Sequence, residues 1–216
     1  WLAVDNFHIT SQDNILNIEL ALSWEDLVEA HEQRLRKTKL EEIQKKIQGA
    51  RSTILENRDL NADLVKKAAG LFDRAKNDLD DIECRIELGG LFRDVGEYEE
   101  AVYWYEEARQ LDPERVSVLK DLGMIYMFEK EYGEAKIVLR KMLEIHPDNV
   151  DYMLLLALAM MREASLEGRE YHDYPALISL LETLIREHDE DPRVNVDMFE
   201  GVIAEAERIV SIREGE

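Results

Sequence analysis

Residues 88–113 read LGGLFRDVGEYEEAVYWYEEARQLDP, and residues 122–147 read LGMIYMFEKEYGEAKIVLRKMLEIHP. The second stretch repeats the pattern of the first at a constant offset of about 34 residues. A repeat of this length indicates stacked helix pairs, because one helix pair cannot bury its own apolar face and must pack against its neighbours. The sequence therefore predicts an all-α solenoid built from antiparallel helix pairs.

The repeated positions alternate small and large side chains, which is what close helix packing requires. The matched positions are Leu88, Gly89, Phe92, Gly96, Tyr98, Ala101, Tyr105, Ala108 and Pro113 in the first copy and Leu122, Gly123, Tyr126, Tyr132, Ala135, Leu139 and Pro147 in the second. The two prolines each end a second helix, since proline lacks the N–H that a helix interior needs. Gly96 is predicted in the turn between helices, where a positive φ is needed. Lys130 replaces it in the second copy and predicts a different turn.

The two copies resemble the tetratricopeptide repeat family. The resemblance is strongest over residues 82–149 and extends more weakly to about residue 192. It departs from the family pattern where the family has tryptophan, because Arg85 and Leu119 occupy those positions. The resemblance implies a right-handed superhelix whose first helices line a concave groove that holds a peptide or helix of another protein.

The remainder of the chain is arranged around these two copies. Residues 1–22 alternate apolar and polar side chains, which predicts a short β-hairpin or an extended arm. The predicted divisions that follow are 23–81, a long helix with a degenerate repeat; 82–115, the first clear repeat; 116–149, the second; 150–192, a divergent third with an insertion at 165–173; and 193–216, a capping helix.

The register of the repeats predicts which side chains face the groove. They are Ile86 and Arg93 in the first copy, Lys120, Met124, Met127 and Phe128 in the second, and Leu158, Met161 and Arg162 in the third. The set is mainly apolar and rich in methionine, which adapts to irregular partners and so suits an amphipathic helix. Alternatively, the chain itself or a second copy covers this surface, because exposed apolar patches rarely stay uncovered.

The charge balance limits the classes of partner. The chain has a formal net charge of −21 at pH 7. Nucleic acid and anionic membrane surfaces are therefore disfavoured as direct ligands, since both require a basic face. The charge is consistent with solubility alone or with a basic protein partner. The basic stretch from Arg34 to Lys46 predicts a solvated helix face or a surface that docks on acidic groups, including those of a second copy.

The sequence contains no pattern typical of catalysis. None of the five histidines has a second His or Cys at metal-ligand spacing, and neither a phosphate-binding glycine loop nor a nucleophile elbow is present. We therefore expect no enzymatic activity and no cofactor. No apolar run approaches the roughly 18 residues of a membrane-spanning helix, so direct membrane contact is not predicted and a cytoplasmic location is expected.

The expected function is protein–protein interaction, as an adaptor or scaffold that binds a helix or peptide in the groove. One alternative is a self-assembling structural subunit, a homodimer formed through the long helix over residues 25–57. Another is a regulatory module of a larger protein, which the start of the chain at Trp1 leaves open.

Overall fold

The computed structural model describes residues 7–12, 15–20, 24–56 and 62–214. The elements are β1 (Phe7–Gln12), β2 (Ile15–Leu20), α1 (Trp24–Glu56), α2 (Ala62–Asn77), α3 (Ile82–Asp94), α4 (Tyr98–Leu111), α5 (Val116–Phe128), α6 (Tyr132–Ile145), α7 (Val150–Glu167), α8 (Tyr174–His188) and α9 (Val196–Glu214), with a short 3-10 helix, Gly168–Glu170, after α7. The contacts divide the chain into two units, Trp1–Asp81 and Ile82–Glu216.

The first unit contains a hairpin and a helix pair. β1 and β2 pair antiparallel, in a register that sets Phe7 opposite Leu20 and Gln12 opposite Ile15, so the predicted hairpin is present. In the second half of α1 the buried residues are Ile43, Ile47, Ala50 and Ile54, and on α2 they are Ala68, Leu71, Phe72 and Ala75. These two apolar stripes have helical spacing and pack against each other. The first half of α1 is largely exposed.

The second unit is a solenoid in which each helix from α3 to α9 packs against the next in the chain. The predicted solenoid of antiparallel helix pairs is confirmed here. Among the signature residues, Leu88, Gly89, Phe92, Ala101, Tyr105, Ala108, Leu122, Gly123, Ala135 and Leu139 are buried, Tyr98, Tyr126 and Tyr132 are half-buried, and Gly96, Pro113 and Pro147 are exposed. The buried members form the contacts within the pairs, as the alternation of small and large side chains predicts.

The two turns within the repeats share one backbone conformation. Gly96 has φ 82° and Lys130 has φ 64°. The N–H after each residue reaches back five residues, from Glu97 to the carbonyl of Phe92 at 2.9 Å and from Glu131 to that of Tyr126 at 2.8 Å. The prediction of a different second turn was wrong, because this hydrogen-bonded helix end holds Lys130 in the left-handed region that usually favours glycine.

The insertion in the third repeat is partly helical. α7 continues through Ser165 to Glu167, so the irregular segment covers only residues 168–173. Gly168, with φ 57°, ends the helix. The Tyr174 hydroxyl donates to the Gly168 carbonyl at 3.0 Å, and Asp173 accepts from Lys136 of α6 at 3.0 Å. That bond from Lys136 keeps the pKa of the Asp173 carboxyl below its ordinary value, and it ties the insertion to the preceding pair.

Candidate protein-binding groove

A cavity of about 200 Å³ opens between α5, α6 and α7, and we call it the first cavity. Its lining residues are Lys120, Gly123, Met124 and Met127 of α5, Leu139 and Met142 of α6, and Leu155 and Leu158 of α7. Four of the predicted groove residues, Lys120, Met124, Met127 and Leu158, therefore lie around one space. The first cavity has a mainly apolar lining with a single cationic side chain.

Helical periodicity explains why these side chains meet. Lys120, Met124 and Met127 are separated by four and three residues, so they lie on one face of α5. Leu155 and Leu158 are three residues apart on α7 and face the same space. Each helix thus contributes one face, and the second helix of the pair, α6, supplies the floor between them.

The rim of the first cavity is exposed while its floor is buried. Met124 is 55% exposed and Leu158 is 39% exposed. Leu139 and Met142, directly below, are buried. Exposed large apolar side chains above an apolar floor are typical of a surface that binds another molecule, because such a patch is unfavourable in water.

The predicted residues of the first repeat do not join this cavity. Arg93 donates to Asp121 of α5 at 2.8 Å and to the Tyr105 hydroxyl at 3.3 Å. It therefore bridges α3 to α4 and α5 rather than offering its charge to a groove ligand. Ile86 is half-buried on α3 and lines neither this cavity nor the one described next.

Phe128 lies on α5 close to the first cavity but is not part of its lining. Its side chain is exposed, and its ring centroid is 4.8 Å from that of Tyr98 on α4. An aromatic pair of this kind is favourable in itself. Phe128 therefore has a structural role in joining the two repeats.

A second cavity of about 400 Å³ opens between α7, α8 and α9. It is lined by Met161, Ala164 and Ser165 of α7, Tyr174 and Leu177 of α8, and Met198, Gly201, Val202, Glu205, Ala206 and Ile209 of α9. Met161 belongs here and not to the first cavity. The contribution of α9 was not predicted from the sequence, although the spacing of Met198, Val202 and Glu205 by four and three residues indicates a shared face.

The two cavities share α7 and are built alike, each from a first helix, its second helix and the next first helix. Arg162 follows Leu158 by one helical turn and is exposed. Glu205, in the second cavity, accepts from Arg208 at 2.6 Å, and this hydrogen bond keeps the pKa of Glu205 below its ordinary value. The side chains around the two cavities are thus mainly apolar, with basic groups on α5 and α7 and an acidic group on α9.

Two features of the described residues bear on other classes of function. Within those residues, no group of three or more His, Cys, Asp or Glu side chains has a geometry that would hold a metal ion. In the same part of the chain, no helix is both long enough and apolar enough to cross a membrane.

Comparison with known families matches residues 92–159 to the tetratricopeptide repeat. This stretch runs from the end of α3 into α7 and so contains both helices of the second copy, where the first cavity lies. Residues 92–159 are therefore similar to tetratricopeptide repeats, and the match covers about a third of the chain. Such repeats are in general protein-interaction modules, because stacked pairs create extended concave surfaces.

Several solved structures are similar to this chain. The MamA RS-1 ArsTM double mutant has 14% identity over 80% of this chain and 97% of its own, with a TM-score of 0.49. YrrB, described as a protein with an unusual peptide-binding site, has 21% identity over 65% and 71%, with a TM-score of 0.45. A tetratricopeptide repeat protein from Parabacteroides merdae has 19% identity over 89% and 79%, with a TM-score of 0.45. No curated protein matches the chain.

Proposed function

We propose that the protein binds a helical segment of a protein partner in the groove formed by α5, α6 and α7. The observation that carries the proposal is the exposed rim of Met124 and Leu158 above the buried floor of Leu139 and Met142. A partner helix that places apolar side chains there removes this surface from water, which is the main favourable term in association. Methionine at the rim adjusts its shape to the partner.

The proposal is one of binding without catalysis. The side chains that line the first cavity are apolar apart from Lys120. A lysine at the edge of an apolar groove orients a partner by charge, and this contributes more to specificity and association rate than to affinity. This arrangement supports the adaptor or scaffold role predicted from the sequence.

The proposal is tested by photo-crosslinking with a matched control. A benzophenone amino acid replaces Met124 in one variant and Ile137 in another, since these residues are 55% and 54% exposed. Ile137 lies on α6 and lines neither cavity. In a lysate of the source cell, we expect the probe at position 124 to crosslink a protein that the probe at position 137 does not. Adding Leu158→Glu to the first variant should remove the crosslink while circular dichroism shows an intact fold.

Two results would contradict the proposal. One is the same set of crosslinked proteins from both positions, which means nonspecific capture. The other is a crosslink at position 124 that survives Leu158→Glu, because a ligand seated in the first cavity must contact both rim residues.

A further inference from the structure

The three helices that form the first cavity hold almost none of the acidity of the chain. α5, α6 and α7 together carry five basic and six acidic side chains, whereas the whole chain has a formal net charge of −21. Most of the negative charge, which is consistent with a basic partner, therefore belongs to other parts of the sequence. The charge that a groove ligand meets depends on the side chains around the cavity itself.

The carboxylates of the two rim helices, α5 and α7, are mostly neutralised. Three of the four form ion pairs: Asp121 with Arg93, Asp151 with Arg193 and Glu163 with Lys136. The fourth, Glu167, is the last residue of α7 and lies about two and a half turns beyond Leu158. On these two described helices, an unpaired carboxylate therefore does not lie beside the first cavity.

The only two basic side chains of α5 and α7 are in the opposite state. Lys120 and Arg162 are exposed, and neither forms an ion pair within the part of the chain that the structure describes. Lys120 lines the first cavity. Arg162 follows Leu155 by seven residues and Leu158 by four, so at about 100° per residue it points between these two lining side chains. Both unpaired cations are therefore on the faces that border the cavity.

Unpaired cations beside an apolar floor favour a ligand of opposite charge. A carboxylate that reaches Lys120 or Arg162 forms a charge-assisted hydrogen bond. A basic side chain in the same place would instead be repelled, which disfavours a wrong partner. The other charges of the chain act from further away, and salt at 0.1 M screens them over about 10 Å. The charge at the rim therefore has more influence on the choice of ligand than the net charge has.

We propose that the groove selects an amphipathic helix of another protein whose apolar face is flanked by acidic side chains. This inference rests on the binding groove proposed above and adds the charge of its ligand. The apolar side chains of the helix, spaced by three and four residues, enter between Met124 and Leu158. Its flanking carboxylates pair with Lys120 on α5 and with Arg162 on α7. The ligand is thus acidic although the chain that binds it is acidic as well.

Selection from a displayed peptide library tests the charge of the ligand without the natural partner. Each peptide is a helix with a fixed apolar face and with either Glu or Lys at every flanking position. The purified full-length chain is the bait, and peptides that also bind the Leu158→Glu chain are discarded. We expect the remaining peptides to be enriched in Glu at the flanking positions. Enrichment of Lys, or no preference between the two, overturns the proposal.

Paired charge reversals show whether the rim makes the selection. The Lys120→Glu/Arg162→Glu chain should lose the preference for Glu and select Lys. The Lys130→Glu/Arg169→Glu chain should still select Glu, because these two exposed cations line neither cavity. This control changes the net charge by the same amount. Selection of Glu by both chains overturns the pairing with Lys120 and Arg162.

Fluorescence anisotropy with one selected Glu-rich peptide measures the contribution of each cation. Lys120→Glu and Arg162→Glu should each weaken binding by about two- to fivefold, the range for exposed ion pairs, and should reduce its dependence on sodium chloride. Lys130→Glu should change neither property. Circular dichroism melts establish that each variant is folded. Unchanged affinity in both rim variants contradicts the proposal.

Failure of this inference is distinguishable from failure of the groove. Peptides that Leu158→Glu no longer binds, but that carry Lys or no preferred charge, overturn the acidic ligand and leave the groove intact. A library without any peptide that distinguishes wild type from Leu158→Glu, together with no specific crosslink at position 124, overturns the groove as well. A wild-type chain that dimerises in sedimentation velocity, and that Met124→Glu makes monomeric, assigns the groove to a second copy and overturns a partner helix as its occupant.

Discussion

At the scale of single residues, the same repeat position is under different constraints in the two copies. A Cβ added to Gly89 would lie 2.8 Å from three ring carbons of Tyr105, whereas one added to Gly123 would lie 3.8 Å from the nearest Leu139 carbon. Tyr105 is buried and its hydroxyl accepts from Arg93, so its ring has little room to move. The repeat pattern predicts a small residue at both positions. Whether a larger residue is tolerated there depends on the side chain that the next helix packs against the glycine.

We therefore expect opposite effects of one substitution at these two positions. Gly89→Ala should reduce the free energy of unfolding by about 1–3 kcal/mol through overpacking. Gly123→Ala should increase it by about 0.5–1 kcal/mol, because alanine is the better helix former and meets only an ordinary contact. Urea unfolding followed by circular dichroism measures both. Equal effects of the two variants would mean that the ring of Tyr105 does not limit the approach of α3 and α4.

At the scale of elements, a turn can keep its form although its sequence changes. The helix end at residues 128–131 has the hydrogen bonds of the one at residues 94–97, even though Lys130 replaces glycine. A non-glycine residue in the left-handed region costs about 1–2 kcal/mol. The hydrogen bonds of this helix end hold the conformation, and the packing of α5 on α6 keeps the turn between them tight, so the strain persists at Lys130.

Replacing Lys130 with glycine should release that strain. We expect Lys130→Gly to stabilise the chain by about 0.5–1 kcal/mol, since part of the gain is offset by the greater freedom of glycine in the unfolded chain. Lys130→Ala, which removes the charge but keeps the conformational restriction, should show no such gain. Gly96→Ala should lose about 1 kcal/mol. Thermal melts of the three variants compare these values, and a gain in the alanine variant would assign the effect to charge instead.

The elements and part of the site were predictable from the sequence, for a definite reason. Helix bounds and the faces that line the first cavity depend on periodicity within a few turns, and the structure brings Lys120, Met124, Met127 and Leu158 together around that cavity. Arg93 does not reach the groove because its side chain is hydrogen-bonded to Asp121, which lies 28 positions later in the sequence. Helical periodicity does not predict a contact over that separation. Met161, predicted in the same groove, lines the second cavity instead of the first, and periodicity could not indicate this because its neighbours on α9 lie beyond an insertion that breaks the repeat.

At the scale of the whole molecule, the net charge of −21 opposes compaction, whereas exposed ion pairs such as Arg193 with Asp151 favour it. Both terms weaken as salt screens them, over a distance of about 10 Å at 0.1 M ionic strength. Exposed ion pairs contribute only about 0–1 kcal/mol each. We expect repulsion to dominate, so that raising the ionic strength increases the melting temperature by a few degrees, equivalent to about 1 kcal/mol.

Differential scanning calorimetry in sodium chloride and in potassium chloride measures this effect, and the two salts should act equally because screening depends on ionic strength. The measurement is made at two protein concentrations, since self-association would add its own salt dependence to the melting temperature. If the melting temperature falls with salt at both concentrations, the ion pairs outweigh the repulsion, and the acidic surface is balanced by its own basic residues.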